Sequence, residues 1–197
     1  MPAFARFVAA SSVVLVCQSV TASENLLVNP FFDDVDQIDG WLVNTNRTAQ
    51  WDSADEQGLA DSGSARLTHD IDGNNGVLSI MRQCLPVEPK QAYFFGGSIF
   101  LPAGQANGAG HGRMVAQTYS TNDCTGGPDS NFSPPLTVIG QWQFTQALVL
   151  TEFDTGSLRI NLSVQKFSGF ADDLDVLFDN VFLFSDQLFG DGFEPMP

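Results

Sequence analysis

Apolar and polar residues alternate in short stretches along this chain, and no stretch holds the spacing of an amphipathic helix. The clearest case is residues 158–165, where Leu158, Ile160, Leu162 and Val164 alternate with Arg159, Asn161, Ser163 and Gln165. A period of two sends these sets to opposite faces of a strand. Weaker alternation sets Trp142, Phe144, Leu148 and Leu150 against Gln143, Thr145 and Ala147, and sets Tyr93, Phe95 and Ile99 against Phe94, Ser98 and Phe100. Further strand candidates cover residues 25–29, 41–44, 64–70, 77–84, 112–120 and 176–185, separated by Gly, Asn, Asp and Pro clusters. About nine short antiparallel strands suffice for two packed sheets, so the pattern predicts an all-β sandwich. Two segments read as loops. Residues 104–112 carry Gly104, Gly108, Gly110 and Gly112, and residues 121–135 carry Gly126, Gly127, Pro128, Pro134 and Pro135.

The alternation also assigns faces. With Leu158, Ile160, Leu162 and Val164 inward, Arg159, Asn161 and Gln165 line the opposite face, and the same logic puts Phe94 and Phe100 outside. Around residues 112–120 the phase is ambiguous, because Met114 and Ala116 alternate with Val115, Gln117 and Tyr119; the preferred phase leaves Arg113, Gln117 and Tyr119 outward. Trp41 and Trp142 read as core anchors, in keeping with the burial of such residues. Trp51 is left unassigned.

The N-terminus changes the domain count. Arg6, the apolar run over residues 7–16 and the small-residue pattern Val20-Thr21-Ala22 read as a secretory signal spanning residues 1–22. The run falls short of the roughly 20 apolar residues needed to cross a bilayer. Residues 23–186 then form one sandwich domain, and residues 187–197 form a flexible tail. An exported location, extracellular or periplasmic, follows. In an exported chain the pair Cys84 and Cys124 reads as a disulfide, since Cys17 leaves with the signal.

The formal net charge is −15. A chain this acidic is repelled by nucleic acid and by anionic membrane surfaces, so neither is an expected partner, and polyanion binding is disfavoured. Catalysis is disfavoured too. His69 and His111 are the only histidines, neither sits in a metalloprotease pattern, and there is no Gly-x-Ser-x-Gly elbow. Carboxylate pairs are abundant, but a chain this short spends nearly all its residues on the sandwich rather than on a deep cleft. The expectation is a protein that is not an enzyme.

Two stretches then carry a resemblance. The mature start Asn25-Leu26-Leu27-Val28-Asn29-Pro30-Phe31-Phe32-Asp33, with Gly40-Trp41 after it, and the closing Leu177-Phe178-Asp179-Asn180-Val181-Phe182-Leu183 resemble the first and last strands of the galactose-binding-like jelly rolls among secreted carbohydrate-binding modules. The middle of the chain, from Gln83-Cys84-Leu85-Pro86 through Tyr119-Ser120-Thr121-Asn122-Asp123-Cys124 to Gly140-Gln141-Trp142, resembles bacterial exported domains of the same class. The tail sequence Asp191-Gly192-Phe193-Glu194 resembles those that close many exported proteins of certain Gram-negative bacteria.

The resemblance implies a two-sheet antiparallel jelly-roll β-sandwich that works by recognition. It also implies a structural Ca²⁺ near the meeting of first and last strands, with Asp33 and Asp179 in the matching acidic positions; turn capping by the same residues is the equal alternative. A carbohydrate ligand needs aromatic faces beside hydrogen-bonding groups, and the candidates are Phe94, Arg113, Gln117, Tyr119, Arg159, Asn161 and Gln165. The alternative function is a structural or adhesive exoprotein that contacts a protein or cell-surface partner. A groove of aromatics beside amides and Arg favours the glycan, whereas a continuous exposed aromatic patch favours the adhesin.

Overall fold

A computed structural model describes residues 24–34, 37–71 and 76–186. The expected signal segment, 1–22, and tail, 187–197, lie outside the described residues. Ten strands make up the fold: β1 (Leu42–Val43), β2 (Thr48–Asp52), β3 (Ser64–His69), β4 (Val77–Pro86), β5 (Ala92–Phe100), β6 (Gly110–Tyr119), β7 (Asp129–Phe132), β8 (Trp142–Leu150), β9 (Ser157–Lys166) and β10 (Leu174–Asp186). They form two five-stranded sheets, a front sheet in the order β1-β4-β9-β6-β7 and a back sheet in the order β2-β3-β10-β5-β8. Every strand pair is antiparallel. This is the two-sheet antiparallel jelly-roll sandwich that the alternation and the resemblance predict. Among the described residues no helix is long and apolar enough to cross a membrane.

The inner residues of the two central front strands close one side of the core. Leu158, Ile160, Leu162 and Val164 of β9 and Met114 and Ala116 of β6 are fully buried against Ile99, Val176 and Phe178 of the back sheet. Each such side chain contributes roughly 1.5–3 kcal/mol through the apolar surface it removes from water. The sheets come close at Gly112, where a Cβ would lie 2.5 Å from Val176 Cγ1 and 2.8 Å from Ile99 Cγ2. Gly110, read from sequence as loop, and Gly112, read both as the end of that loop and as the start of a strand, are strand residues whose missing side chains let their neighbours approach.

Other readings need correction. Residues 25–29 form no strand; the segment docks beside β10 through Leu26 N–H to Leu183 O (3.0 Å) and Asn25 Nδ2 to Val181 O (2.9 Å). The buried amide of Gln83 then holds it, donating to Val28 O (2.6 Å) and accepting from Val28 N–H (3.0 Å). Strands β2 and β7 were not read from sequence: Asp129–Phe132 is short and lacks apolar alternation, and Thr48–Asp52 alternates only through Ala49 and Trp51.

The phase of β8 is inverted. Register places Thr145, Ala147 and Val149 opposite Gly97, Phe95 and Tyr93, so they face inward while Phe144, Leu148 and Leu150 face solvent. Trp142 shares that outward phase and packs on Phe100 at 5.2 Å instead of anchoring the core. Trp41 is buried as expected. Trp51 is half-buried and donates its indole N–H to Phe32 O at 2.9 Å.

Candidate functional site

The front sheet gathers six of the seven residues read as carbohydrate candidates. Register aligns Arg113 with Ser163, Gln117 with Arg159, and Tyr119 with Ser157, while Asn161 lies between Val115 and Arg82 and Gln165 between Val77 and His111. All therefore share the outer face of β6 and β9. Phe94 does not join them: it lies on the outer face of the back sheet, opposite Leu148 and Phe184. Its outward direction is as read, but the sandwich puts it on the other side of the molecule.

Gln117 organises the face. Its Oε1 accepts from Arg159 (Nη2 at 2.7 Å, Nε at 3.1 Å), Asn161 Nδ2 (3.1 Å) and the Tyr119 hydroxyl (3.2 Å), while its Nε2 donates to Ser130 Oγ (3.2 Å). The Arg159 guanidinium lies 4.8 Å from the Tyr119 ring centroid. Tyr119 itself is only 2% exposed, so it props the guanidinium from below rather than offering a bare ring for stacking. Burial raises its hydroxyl pKa, against the lowering charges of Arg159 and Arg82. Farther along β6, Arg113 stacks at 4.5 Å on Phe132, an exposed aromatic of edge strand β7, and its Nε is buried without a partner.

Two members of this face escaped sequence reasoning. Phe132 sits in a stretch without alternation. Arg82 is hidden by a bulge: Ser79 pairs with Ser163 and Met81 with Leu162, so Ile80 is an extra residue. Leu78 before the bulge and Met81, Gln83 and Leu85 after it all point inward, and the change of parity turns Arg82 and Cys84 outward. Without the bulge Arg82 would share the inward phase of Leu78. A depression of about 330 Å³ opens here, lined by Leu42, Arg82, Cys84, Asp123, Cys124, Thr125 and Arg159.

The disulfide forms one wall of that depression. Cys84 and Cys124 are joined, with Cα atoms 6.1 Å apart. Cys124 N–H donates to Ser157 Oγ (3.0 Å), whose hydroxyl donates to Thr121 O (2.6 Å), so the cysteine loop is seated on the start of β9.

The back sheet presents different chemistry. Phe182 stacks on Phe144 at 5.9 Å and on Phe184 at 5.1 Å, and Leu148, Leu150 and Phe153 beside them are 42%, 65% and 77% exposed. A depression of about 620 Å³ lies along Leu148, Leu150 and Phe153, with Lys90 Nζ 5.1 Å from the Phe153 ring centroid.

Asp33 and Asp179 have protein partners. Asp33 Oδ1 accepts from Ser62 Oγ at 2.7 Å. Asp179 is buried at the β10 bulge, its Oδ2 accepting from Glu56 N–H (2.9 Å) and its Oδ1 from Asn180 N–H (2.6 Å). Burial first, then the charges of Asp55 and Glu56, push its pKa up to about 7. Among the described residues no three His, Cys, Asp or Glu side chains gather as a metal site. A calcium ion wanting six to eight oxygens would thus depend on main-chain carbonyls and would compete with the amides now bound to Asp179.

No family model and no curated protein matches this sequence. Solved structures do match. The CBM22-1 xylan-binding domain from Paenibacillus barcinonensis superposes with a TM-score of 0.60 at 16% identity, over 85% of this chain and 97% of that one. A family 16 carbohydrate-binding module superposes with a TM-score of 0.55 at 17% identity, over 81% and 99%. The chain is similar in fold to carbohydrate-binding modules. It also matches the enzymatically active domain of bacteriophage CBA120 tailspike protein 4, with a TM-score of 0.58 at 15% identity, over 82% of this chain but 21% of that one. At such identities the likeness is one of fold, and the ligand must be argued from this chain's own side chains.

Proposed function

We propose that this chain is a secreted, non-catalytic recognition module that binds carbohydrate through the outer face of the front sheet. The observation that carries this reading is the Gln117 network: one amide fixes a guanidinium, a second amide and a phenol on neighbouring positions of rigid strands. Preorganised amide and guanidinium groups beside aromatic rings are what sugar hydroxyls and ring C–H patches require. The fold neighbours include a domain described as xylan-binding, which supports the same ligand class. Export rests on residues 1–22. The calcium expectation enters this proposal at Asp179 and is given a measurement below.

A second reading is favoured by the back sheet. Its stacked Phe144, Phe182 and Phe184 with exposed Leu150 and Phe153 form the continuous apolar-aromatic patch expected of an adhesin that contacts a protein or cell surface. Glycan-array binding by the mature protein separates the two. In the first reading Gln117→Ala and Arg159→Ala abolish array binding while Phe94→Ala leaves it unchanged. Binding that survives both front-sheet changes and is lost in Phe144→Ser would transfer the site to the back sheet.

A further inference from the structure

Placement of charge on the front sheet runs against the rest of the molecule. The chain has 23 acidic residues and 8 Lys or Arg. Yet the five strands of the front sheet carry one acidic residue, Asp129 on edge strand β7, alongside Arg82, Arg113, Arg159 and Lys166. Lys166 shares the inward phase of Leu162 and Val164 and is fully buried, whereas the three arginines share the outer face. None of these three makes an ion pair with a carboxylate among the described residues, in contrast to Arg66 on β3, which is paired to both Asp52 and Asp175.

The arginines are also held where their charge is costly. Arg82 and Arg159 are diagonal neighbours on adjacent strands, a spacing of roughly 7–8 Å at which like charges oppose each other. Burial, and also the charge of Arg82, act against the charged form of Arg159, and burial does the same to Arg113. The Arg113 Nε adds a buried donor with no acceptor. Unpaired guanidinium groups of one sign on a rigid face are a cost to folding that an anionic ligand removes.

Resting on the carbohydrate reading above, we infer that the ligand of this face is an acidic polysaccharide whose ring carboxylates pair with Arg82 and Arg159 at one end and with Arg113 at the other. The guanidinium group matches a planar carboxylate, and Tyr119 and Phe132 hold two of them by their flat sides. Gln117 takes the Nε and Nη2 edge of Arg159 and Arg113 Nε is buried, so the donors offered to a ligand are Arg159 Nη1 and the two Nη groups of Arg113. Arg113 and Arg159 lie four residues apart along the sheet, about 13 Å at 3.3 Å per residue, so an oligomer rather than one sugar spans them.

The other groups around the face are compatible with this ligand. His111 is kept toward its neutral form by burial and by Arg113. Asp123, at the rim of the 330 Å³ depression, is held within its own turn by Thr125 N–H and Oγ1 and sets a limit on how closely a second carboxylate approaches from that side. The overall charge that disfavours polyanions in general leaves this local exception, because screening confines each charge to about 8 Å at physiological salt.

The test is affinity electrophoresis of the mature protein through gels containing polygalacturonate, its methyl ester, neutral xylan or dextran sulfate. Polygalacturonate should retard the wild type, and the methyl ester, with the same rings uncharged, should bind about tenfold more weakly, the loss expected for a charge-assisted hydrogen bond. The pair Arg82→Gln and Arg159→Gln should reproduce that loss. The ester comparison needs no variant and holds even if that pair fails to fold. Equal retardation by polygalacturonate and its ester, or by dextran sulfate, overturns the inference. Retention on xylan alone overturns it and leaves the carbohydrate reading standing, and retention on no polysaccharide overturns both.

Discussion

Asp179 is a buried carboxylate whose two backbone N–H donors do not offset the loss of water and the nearby charges of Asp55 and Glu56. Its folded pKa of about 7 lies above the unfolded value of about 3.9, so between these limits the native state holds a proton that the unfolded chain has released. The stability that this group permits is therefore fully present below about pH 4 and falls as pH rises to about 7, by on the order of 4 kcal/mol. In chelator, the melting temperature of the wild type should drop between pH 5 and pH 8, and Asp179→Asn should lose most of that slope. Calcium, if held there, keeps the carboxylate ionised: it should raise the melting temperature at pH 8 in the wild type and have less effect in Asp179→Asn or Asp33→Ala. Indifference to chelator in the wild type removes the metal. Asp33 and Asp179 were legible as acidic positions in matching motifs, but their partners Ser62 and Glu56 depend on where the chain returns.

Strand β8 shows how an element's faces are chosen. By composition Trp142, Phe144, Leu148 and Leu150 look like its core side, yet pairing with β5 turns Thr145, Ala147 and Val149 inward. Register on an edge strand is decided by the neighbour it pairs with, and a one-residue slip moves every side chain to the other face. Val149→Ala should therefore cost about 2 kcal/mol in urea unfolding, while Phe144→Ser should cost well under about 1 kcal/mol, although phenylalanine is the larger residue. Comparable losses from both would contradict the assigned phase. Strand β9 was read correctly because it is central in the front sheet: one face meets the core and the other is polar, so hydrophobicity alone distinguishes them. The bulge in β4 leaves no such mark, since Ile80 and Met81 are both apolar and both buried.

Sulfur ties β4 to the loop after β6 at one end of the front sheet. The Cys84–Cys124 bridge spans a separation of 40 residues, and restricting the unfolded chain over a loop of that size stabilises the fold by about 4 kcal/mol. Reduction, or Cys84→Ser with Cys124→Ser, should lower the unfolding free energy by roughly 3–4 kcal/mol in denaturant titration. Because the bridge also walls the depression beside Arg82 and Arg159, the same change should weaken the proposed glycan binding while the far-ultraviolet circular dichroism of the folded protein is retained. Wild-type stability in the reduced protein would show that strand pairing alone holds that end.

Local chemistry was enough to specify the class of this protein: period-two alternation and turn residues between strands both act through neighbours in sequence. It was also enough to put Arg113, Gln117, Tyr119, Arg159, Asn161 and Gln165 on outward positions. Tertiary structure decided everything that depends on pairing across the chain. It chose the face of β8, turned Arg82 outward through an extra residue in β4, carried Phe94 to the opposite sheet, and gathered three arginines where net charge predicts none. The physical reason is that alternation encodes which way a side chain points relative to its own strand, whereas the identity of the adjoining strand is set by contacts between residues far apart in sequence.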